Sequence, residues 1–303
     1  MSGSLYVSFN IDCEVSQPAV QDLPLGERAV RAFGDLLDEN GHRATFHVLP
    51  SDVEAHANVY RELKDRGHEI GLHVHPATEG YEEFLGVYGA EQQATIVGDA
   101  GDRFSFALGF APESICIGYA STNDFTYGVL YDLGYRHGTC SIPSRVLPEC
   151  ASVHAGAPLD LHYANRHNRL LPGDLDFVEI PITVDPDSRM WSGKHPQDLR
   201  VELVDAKNHW YTIHKSVKRQ VEDGVPVKFL RAITHNTFDY SDHNDFRRQT
   251  LVGMMKHIQA IAEDLQLQIV PATGSQIAAA YRQAVPLDNT TSKLQLDRRG
   301  YGQ

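Results

Sequence analysis

Two carboxylates and three imidazoles in this chain stand where they could act together. Asp12 and Glu14 lie two residues apart at the end of the apolar run Leu5–Asp12, and His73 and His75 lie two apart in Gly71-Leu-His-Val-His-Pro76. His235 follows another apolar run, in Thr234-His-Asn236. Side chains two apart on an extended segment point to the same side, so each pair can face one pocket. Two imidazoles and one carboxylate make a three-ligand metal site with open positions for water and substrate. The carboxylate left over is free to take a proton from water, whose pKa such a metal lowers from about 15.7 toward 7. His235, with an ordinary pKa of about 6.5, could protonate a leaving group. That chemistry is hydrolysis of an amide or ester. Taken singly, a strand-end histidine is more often a hydrogen-bonded surface residue, and an acidic pair after a strand is usually a helix cap. Their conjunction carries the reading.

Such residues need strands that end on one edge of a sheet, and strand and helix character alternates along nearly the whole chain. After the strand Leu5–Asp12, a helix is predicted over Glu27–Asn40, with Val30, Phe33, Leu36 and Leu37 at helical spacing and Gly41 as its stop. Ala44–Leu49 reads as a short strand, and Ser51-Asp-Val-Glu54 as a capping box opening a helix that runs to Arg66. The alternation repeats with strand Glu69–Val74, helix Glu91–Leu108, strand Ser114–Gly118, helix Asn123–Leu133 and strand Tyr135–Ser141. Beyond an irregular stretch, 142–174, come strand Phe177–Val184 and a second irregular stretch, 185–208. Helix Tyr211–Glu222, strand Val227–Ile233, helix Asp245–Leu265, strand Gln268–Val270 and helix Gly274–Ala284 complete the series. These β-α units, with no interior linker, predict one α/β domain over 1–286, an irregular (β/α) barrel of about seven parallel strands. Residues 287–303 read as a polar C-terminal tail. Reactive groups in such a sheet gather at the C-terminal strand ends, where Asp12, His73 and His235 fall.

A chain of 303 residues suits one such barrel. Its 27 lysines and arginines against 40 aspartates and glutamates give a net charge of −13. That argues against nucleic acid or an anionic membrane as the main partner, because both need clustered cations. No apolar run reaches the ~20 residues of a membrane span. The opening Met-Ser-Gly-Ser-Leu-Tyr-Val lacks a charged segment followed by an apolar one, and Cys13, Cys116, Cys140 and Cys150 form no C-x-x-C pair. Both features predict a cytoplasmic location.

In order and spacing these residues resemble the polysaccharide deacetylase (NodB-homology, carbohydrate esterase family 4-like) superfamily. The most specific segment is Gly67-His-Glu-Ile-Gly-Leu-His-Val-His-Pro76, similar to the family's G-H-E-I-G-x-H-…-H-P. Val7-Ser-Phe-Asn-Ile-Asp12 looks like its first strand, Arg43-Ala-Thr-Phe-His-Val48 like its K-A-T-F-F-V strand, and Leu130-Tyr-Asp-Leu-Gly-Tyr-Arg136 like its L-x-x-L-G-Y turn. Phe177-Val-Glu-Ile-Pro-Ile182 and Thr234-His235 complete the likeness, which runs over about residues 5–282. The resemblance implies an irregular NodB-type barrel hydrolysing N-acyl groups, mostly of amino sugars, with a divalent metal. Zinc is the expected ion, with cobalt, nickel, manganese or iron as alternatives. On the D-x-E pattern of divergent members, Asp12 is the base, Glu14, His73 and His75 hold the metal, and His235 is the catalytic acid. The swap, with Asp12 on the metal, stays open.

Three departures set the chain apart from its relatives. The usual D-D motif reads Asp12-Cys13-Glu14, so Cys13 occupies the usual ligand position. The family's metal histidines stand four apart; here they stand two apart, with Ala77 at the fourth position. The bracing arginine of the third motif is replaced by Cys116 in Ser114-Ile-Cys-Ile-Gly118, which leaves Arg136 or Arg189 as candidates to brace the base.

The two irregular stretches are long enough to form substrate walls. Tyr119, Arg166, Arg189 and Trp191 are the candidate substrate-binding residues, against the plainer reading of loop packing. A small amino sugar, nucleotide-linked or lipid-linked, is the expected substrate, rather than cell-wall polymer. Two other readings stand beside it: a hydrolase of non-sugar amides or cyclic imides, and an inactive barrel that only binds a glycan.

Overall fold

The computed structural model describes residues 3–288; residues 289–303, most of the expected polar tail, lie outside the described residues. Four β-α pairs open the chain: β1 (Ser4–Cys13) and α1 (Leu23–Glu39), β2 (Ala44–Val48) and α2 (Pro50–Asp65), β3 (Glu69–Val74) and α3 (Ala90–Leu108), β4 (Ile115–Ile117) and α4 (Thr126–Asp132). β5 (His137–Thr139) is followed by a small hairpin of β6 (Val146–Leu147) and β7 (Ser152–Val153), then β8 (His162–Tyr163) and β9 (Val178–Glu179). A second hairpin, β10 (Val184–Met190) and β11 (His195–Asp198), leads to α5 (Ala206–Glu222) and β12 (Lys228–His235). α6 (Phe246–Asp264), β13 (Gln268–Pro271) and α7 (Gly274–Ala284) close it.

The main sheet runs β12-β1-β2-β3-β4-β5-β9-β8, with β13 also paired to β1. All its pairings are parallel except β8 on β9. The open side is bridged without a full ladder. Thr183 N–H donates to the Arg231 carbonyl at 3.2 Å, Arg231 N–H to Thr183 Oγ1 at 2.9 Å, and Val201 N–H to the Ile233 carbonyl at 3.0 Å. The result is the irregular α/β barrel expected from the alternation.

Alternation along the strands sorts the two faces of the sheet. Val7, Phe9 and Ile11 of β1, Phe46 and Val48 of β2, and Ile70, Leu72 and Val74 of β3 join one buried apolar cluster with Phe33 of α1, Leu63 of α2 and Ile258 of α6. The core therefore lies between sheet and helices. The intervening residues Asn10, Asp12, Thr45, His47, Glu69 and His73 are polar, buried, and share the opposite, inner face. At the bottom of the barrel Glu69 accepts from His137 Nε2 (3.1 Å) and from the Ser275 N–H (2.8 Å) at the start of α7, which ties that helix across the barrel floor.

Several boundaries differ from expectation. The Ser51–Glu54 capping box does not form. Pro50 starts α2 one residue early, at a position where its missing N–H costs nothing, and Leu49 caps it with no side-chain bond. The Asp52 side chain instead accepts from the Ser16 N–H (3.0 Å) and from the Ser16 hydroxyl. α5 begins at Ala206 rather than Tyr211, because Asp205 accepts from the Asn208 N–H (2.8 Å) as its N-cap. The two irregular stretches are built around the β6–β7 and β10–β11 hairpins.

Candidate active site

β1 points Asp12 into the barrel, and the chain then turns so that Glu14 faces the same space. That turn is fixed from the loop after β12 and from α2. Glu14 N–H donates to Asn236 Oδ1 (2.8 Å) just past β12, and Asn236 Nδ2 donates to Asp52 Oδ1 (3.2 Å) in α2. His73 closes β3 with its Nδ1 3.1 Å from the Cys116 carbonyl, and His75 lies just beyond with its Nδ1 3.0 Å from Glu83 Oε1. Each Nδ1 thus holds its proton toward an acceptor, which leaves each Nε2 free. The two Nε2 atoms are 3.1 Å apart, and Glu14 Oε2 stands 3.4 Å from that of His73 and 3.1 Å from that of His75. Gly118 makes room for this convergence: a Cβ there would stand 2.5 Å from His75 Nε2.

Three electron-pair donors facing one another call for a cation, and the electrostatics agree. Burial works against charge on His75, but Glu14 and Glu83 outweigh it and raise its pKa to about 9. Burial likewise pushes the Glu14 carboxyl up, yet His235, His73 and His75 hold it well below the ordinary range. A cation bound among these three side chains would displace the proton from His75. A second cluster, Asp12, His73 and Cys116, is looser, with Asp12 Oδ2 3.9 Å from both His73 Nε2 and Cys116 Sγ. Burial, reinforced by Asp12, pushes the Cys116 thiol well up, so it offers no thiolate. Glu14, His73 and His75 are the better donor set.

Asp12 Oδ1 is buried, accepts no hydrogen bond from the described residues, and lies 3.8 Å from Nδ1 of the fully buried His47. Neither arginine considered as its brace reaches it. Arg136 donates to the Tyr131 and Tyr135 carbonyls, and Arg189 to those of Ser144 and Gly193. Both are held on the outside by neighbouring backbone. The arginines within electrostatic reach of Asp12 are Arg231 of β12, buried inside the barrel, and Arg200.

His235 forms the opposite wall, with its Nε2 3.9 Å from Glu14 Oε1. Its Nδ1 lies 2.5 Å from Glu202 Oε1, and Glu202 also accepts from Thr234 Oγ1 (2.9 Å). Burial would lower the His235 pKa, but Glu202 and then Glu14 raise it to about 9, so the ring is protonated at neutral pH. Arg200 Nη1 approaches its Nε2 at 3.4 Å, and Arg200 Nη2 is 3.6 Å from Asp198.

These groups line a cavity of about 110 Å³. Asp12, Glu14, His73, His75, His235 and Tyr119 all border it. The other three candidate substrate residues do not. Arg166 pairs with Asp132 on the surface (2.9 Å), Arg189 pins a hairpin turn, and Trp191 stacks on His195 with ring centroids 4.3 Å apart. Arg145 and Arg200 line it instead, with Glu202 behind His235. A signal for the last two was present: Asp198-Leu-Arg200-Val-Glu202 alternates polar and apolar residues, and Leu199 and Val201 are buried.

A family model for polysaccharide deacetylase matches residues 19–138, a span that holds His73, His75 and Cys116. No curated protein matches the chain. Among solved structures, a polysaccharide deacetylase-type protein from Mycobacterium smegmatis superposes with a TM-score of 0.63 at 15% identity, covering 97% of this chain and 96% of that one. A protein described as a polysaccharide deacetylase from Pseudomonas aeruginosa PAO1 gives 0.61 at 13%, covering 94% and 93%. The allantoinase Puue gives 0.60 at 14%, covering 93% and 91%. At such identities the likeness to the solved structures is one of fold. Over residues 19–138 the chain is similar to the polysaccharide deacetylase family, and over nearly its whole length it shares the fold of these solved structures.

Proposed function

We propose that the chain is a metal-dependent hydrolase that removes an N-acyl group, acetyl or formyl, from a small amino-sugar-type substrate. The observation that carries this reading is the convergence of Glu14 Oε2, His73 Nε2 and His75 Nε2 within 3.1–3.4 Å, between a free carboxylate, Asp12, and a protonated imidazole, His235. Glu14, His73 and His75 would hold the ion, zinc or another divalent transition metal. When bound, such an ion lowers the pKa of water toward about 7 and polarises the acyl carbonyl. Asp12 accepts the proton of the attacking water as its oxygen bonds to the acyl carbon. His235 gives its Nε2 proton to the departing nitrogen as the C–N bond breaks, and Glu202 fixes the ring for that transfer. The products are a free carboxylate and an amine.

Hydrolysis of a non-sugar amide or cyclic imide is the second reading. The small cavity favours it, and Tyr119 is the sole Phe, Tyr or Trp among the residues lining it, a sparse platform for a sugar ring. Elemental analysis of protein purified without added metal, joined to acetate and formate release over a panel of amino sugars and non-sugar amides, tests both. Stoichiometric metal with release from the sugars supports the first reading, and release from the non-sugars alone supports the second. Metal-free protein with no release overturns both.

A further inference from the structure

The cavity wall beside Tyr119 holds a charge that the reaction outlined above does not use. Arg145, in the loop after β5, is 4% exposed and borders the cavity. Its Nε donates to His195 Nδ1 (3.1 Å), and its Nη1 to the Tyr119 carbonyl (2.7 Å) and Ser152 Oγ (3.5 Å). Every one of these acceptors is neutral. Nη2 donates to none of the described residues, and no described carboxylate lies within 4.0 Å of the guanidinium. Asp198 stands beyond the ring of His195, whose Nε2 is 3.3 Å from it, and offsets the Arg145 charge only from a distance, without an ion-pair contact. Burial, then the nearby charge of Arg200, lowers the Arg145 pKa to about 10, still cationic at neutral pH. Arg231 is also buried without a close ion pair, but it lies inside the barrel off the cavity wall, with Glu69 and Glu179 as electrostatic neighbours.

A buried cation without a counter-ion is costly unless a ligand supplies one. Arg200 has Asp198 at 3.6 Å and Glu202 at 4.0 Å, so it is already balanced. Arg145 is the cation facing the cavity that remains open. We infer that the substrate of this site carries a carboxylate, received by Arg145 on the wall beside Tyr119. This rests on the hydrolase reading for its context and narrows the substrate to an N-acyl compound with an acidic group near the scissile bond. A carboxylate suits the site better than a phosphate. The cavity of about 110 Å³ must also admit the acyl group, and one free Nη2 cannot serve the several oxygens of a phosphate. Two sources share this chemistry: a sugar acid and an N-acyl amino acid.

Matched pairs test the inference by equilibrium binding, read by calorimetry in an Asp12→Asn background so that turnover does not interfere. One pair is a 2-acetamido-2-deoxyuronic acid and its carboxamide; the other is an N-acetyl amino acid and its amide. The expected result is that at least one acid binds about tenfold or more tighter than its amide, as a charge-assisted contact predicts. That preference should collapse in Arg145→Gln and survive in part in Arg145→Lys, and the pair that shows it identifies the source. Equal binding of acid and amide in both pairs overturns the inference, as does an unchanged preference in a folded Arg145→Gln protein. Should Arg145→Gln fail to fold, the acid-against-amide comparison in the parent protein decides. Preference for the acid without acyl release by the wild-type enzyme sinks the hydrolase reading and leaves the carboxylate site standing.

Discussion

Both Nδ1 atoms of His73 and His75 are engaged, by the Cys116 carbonyl and by Glu83, so their Nε2 atoms face Glu14 as acceptors. His73→Ala or His75→Ala should therefore release the ion, read by elemental analysis. Asp12→Asn should keep it and lower kcat by about 10²–10⁴-fold, the usual worth of a general base. Metal lost in Asp12→Asn but kept in Glu14→Gln would exchange the two roles. His235 supports a prediction of opposite kind. Its pKa is raised by Glu202 and Glu14, and an acid works only while protonated, so activity should fall on the alkaline side as the ring gives up its proton. Glu202→Gln removes the leading cause of that rise. The alkaline limb of kcat/KM should then move to lower pH, and a limb that stays put would remove His235 from the acid role.

Strand ends and the loops behind them set the cavity wall at the next scale. After β4 the chain passes through Gly118, Tyr119 and Ala120, and the last two adopt left-handed φ of 57° and 49°. Such backbone persists only where neighbours over-determine it. Here Arg145 donates to the Tyr119 carbonyl and His154 Nε2 to that of Ala120 (2.8 Å). Gly118 is needed for a different reason, the close approach of His75. Gly118→Ala should push that ring off its position and weaken metal affinity by about 10–100-fold while far-UV circular dichroism stays unchanged. Full metal retention would show that His75 is not placed as described.

Across the whole molecule, polar groups are buried inside the barrel and histidines are buried around it. Burial lowers the pKa of His154 and of His162 to about 4, against about 6.5 in an unfolded chain. At these two rings the folded state thus binds fewer protons than the unfolded one, and their contribution to stability must fall as pH drops from about 6.5 through 4. By linkage each ring forfeits on the order of 3 kcal/mol once the pH is well below 4. Urea unfolding of metal-stripped protein should show a lower midpoint at pH 5 than at pH 7. His162→Gln should lessen that difference, and a midpoint insensitive to pH would contradict the buried neutral rings.

The alternation of strands and helices was readable because helical spacing and β-rich runs are local properties. Asp12, Glu14, His73, His75 and His235 were readable as candidates because a parallel sheet collects strand ends on one edge. Side-chain pairing was not. The Ser51–Glu54 capping signal yielded to Asp52 bonding Ser16, thirty-six residues away in sequence. Arg166 was drawn to Asp132, and Arg145 was brought into the wall by contacts to Tyr119 and His195. By itself, then, the sequence determined the barrel and the set of candidate residues at its edge. The tertiary structure alone decided which carboxylate meets the imidazoles, what holds His235, and which arginine is left without a counter-ion. The physical reason is range: periodicity acts within a few residues, whereas charge balance and desolvation depend on whatever the fold brings within a few ångströms.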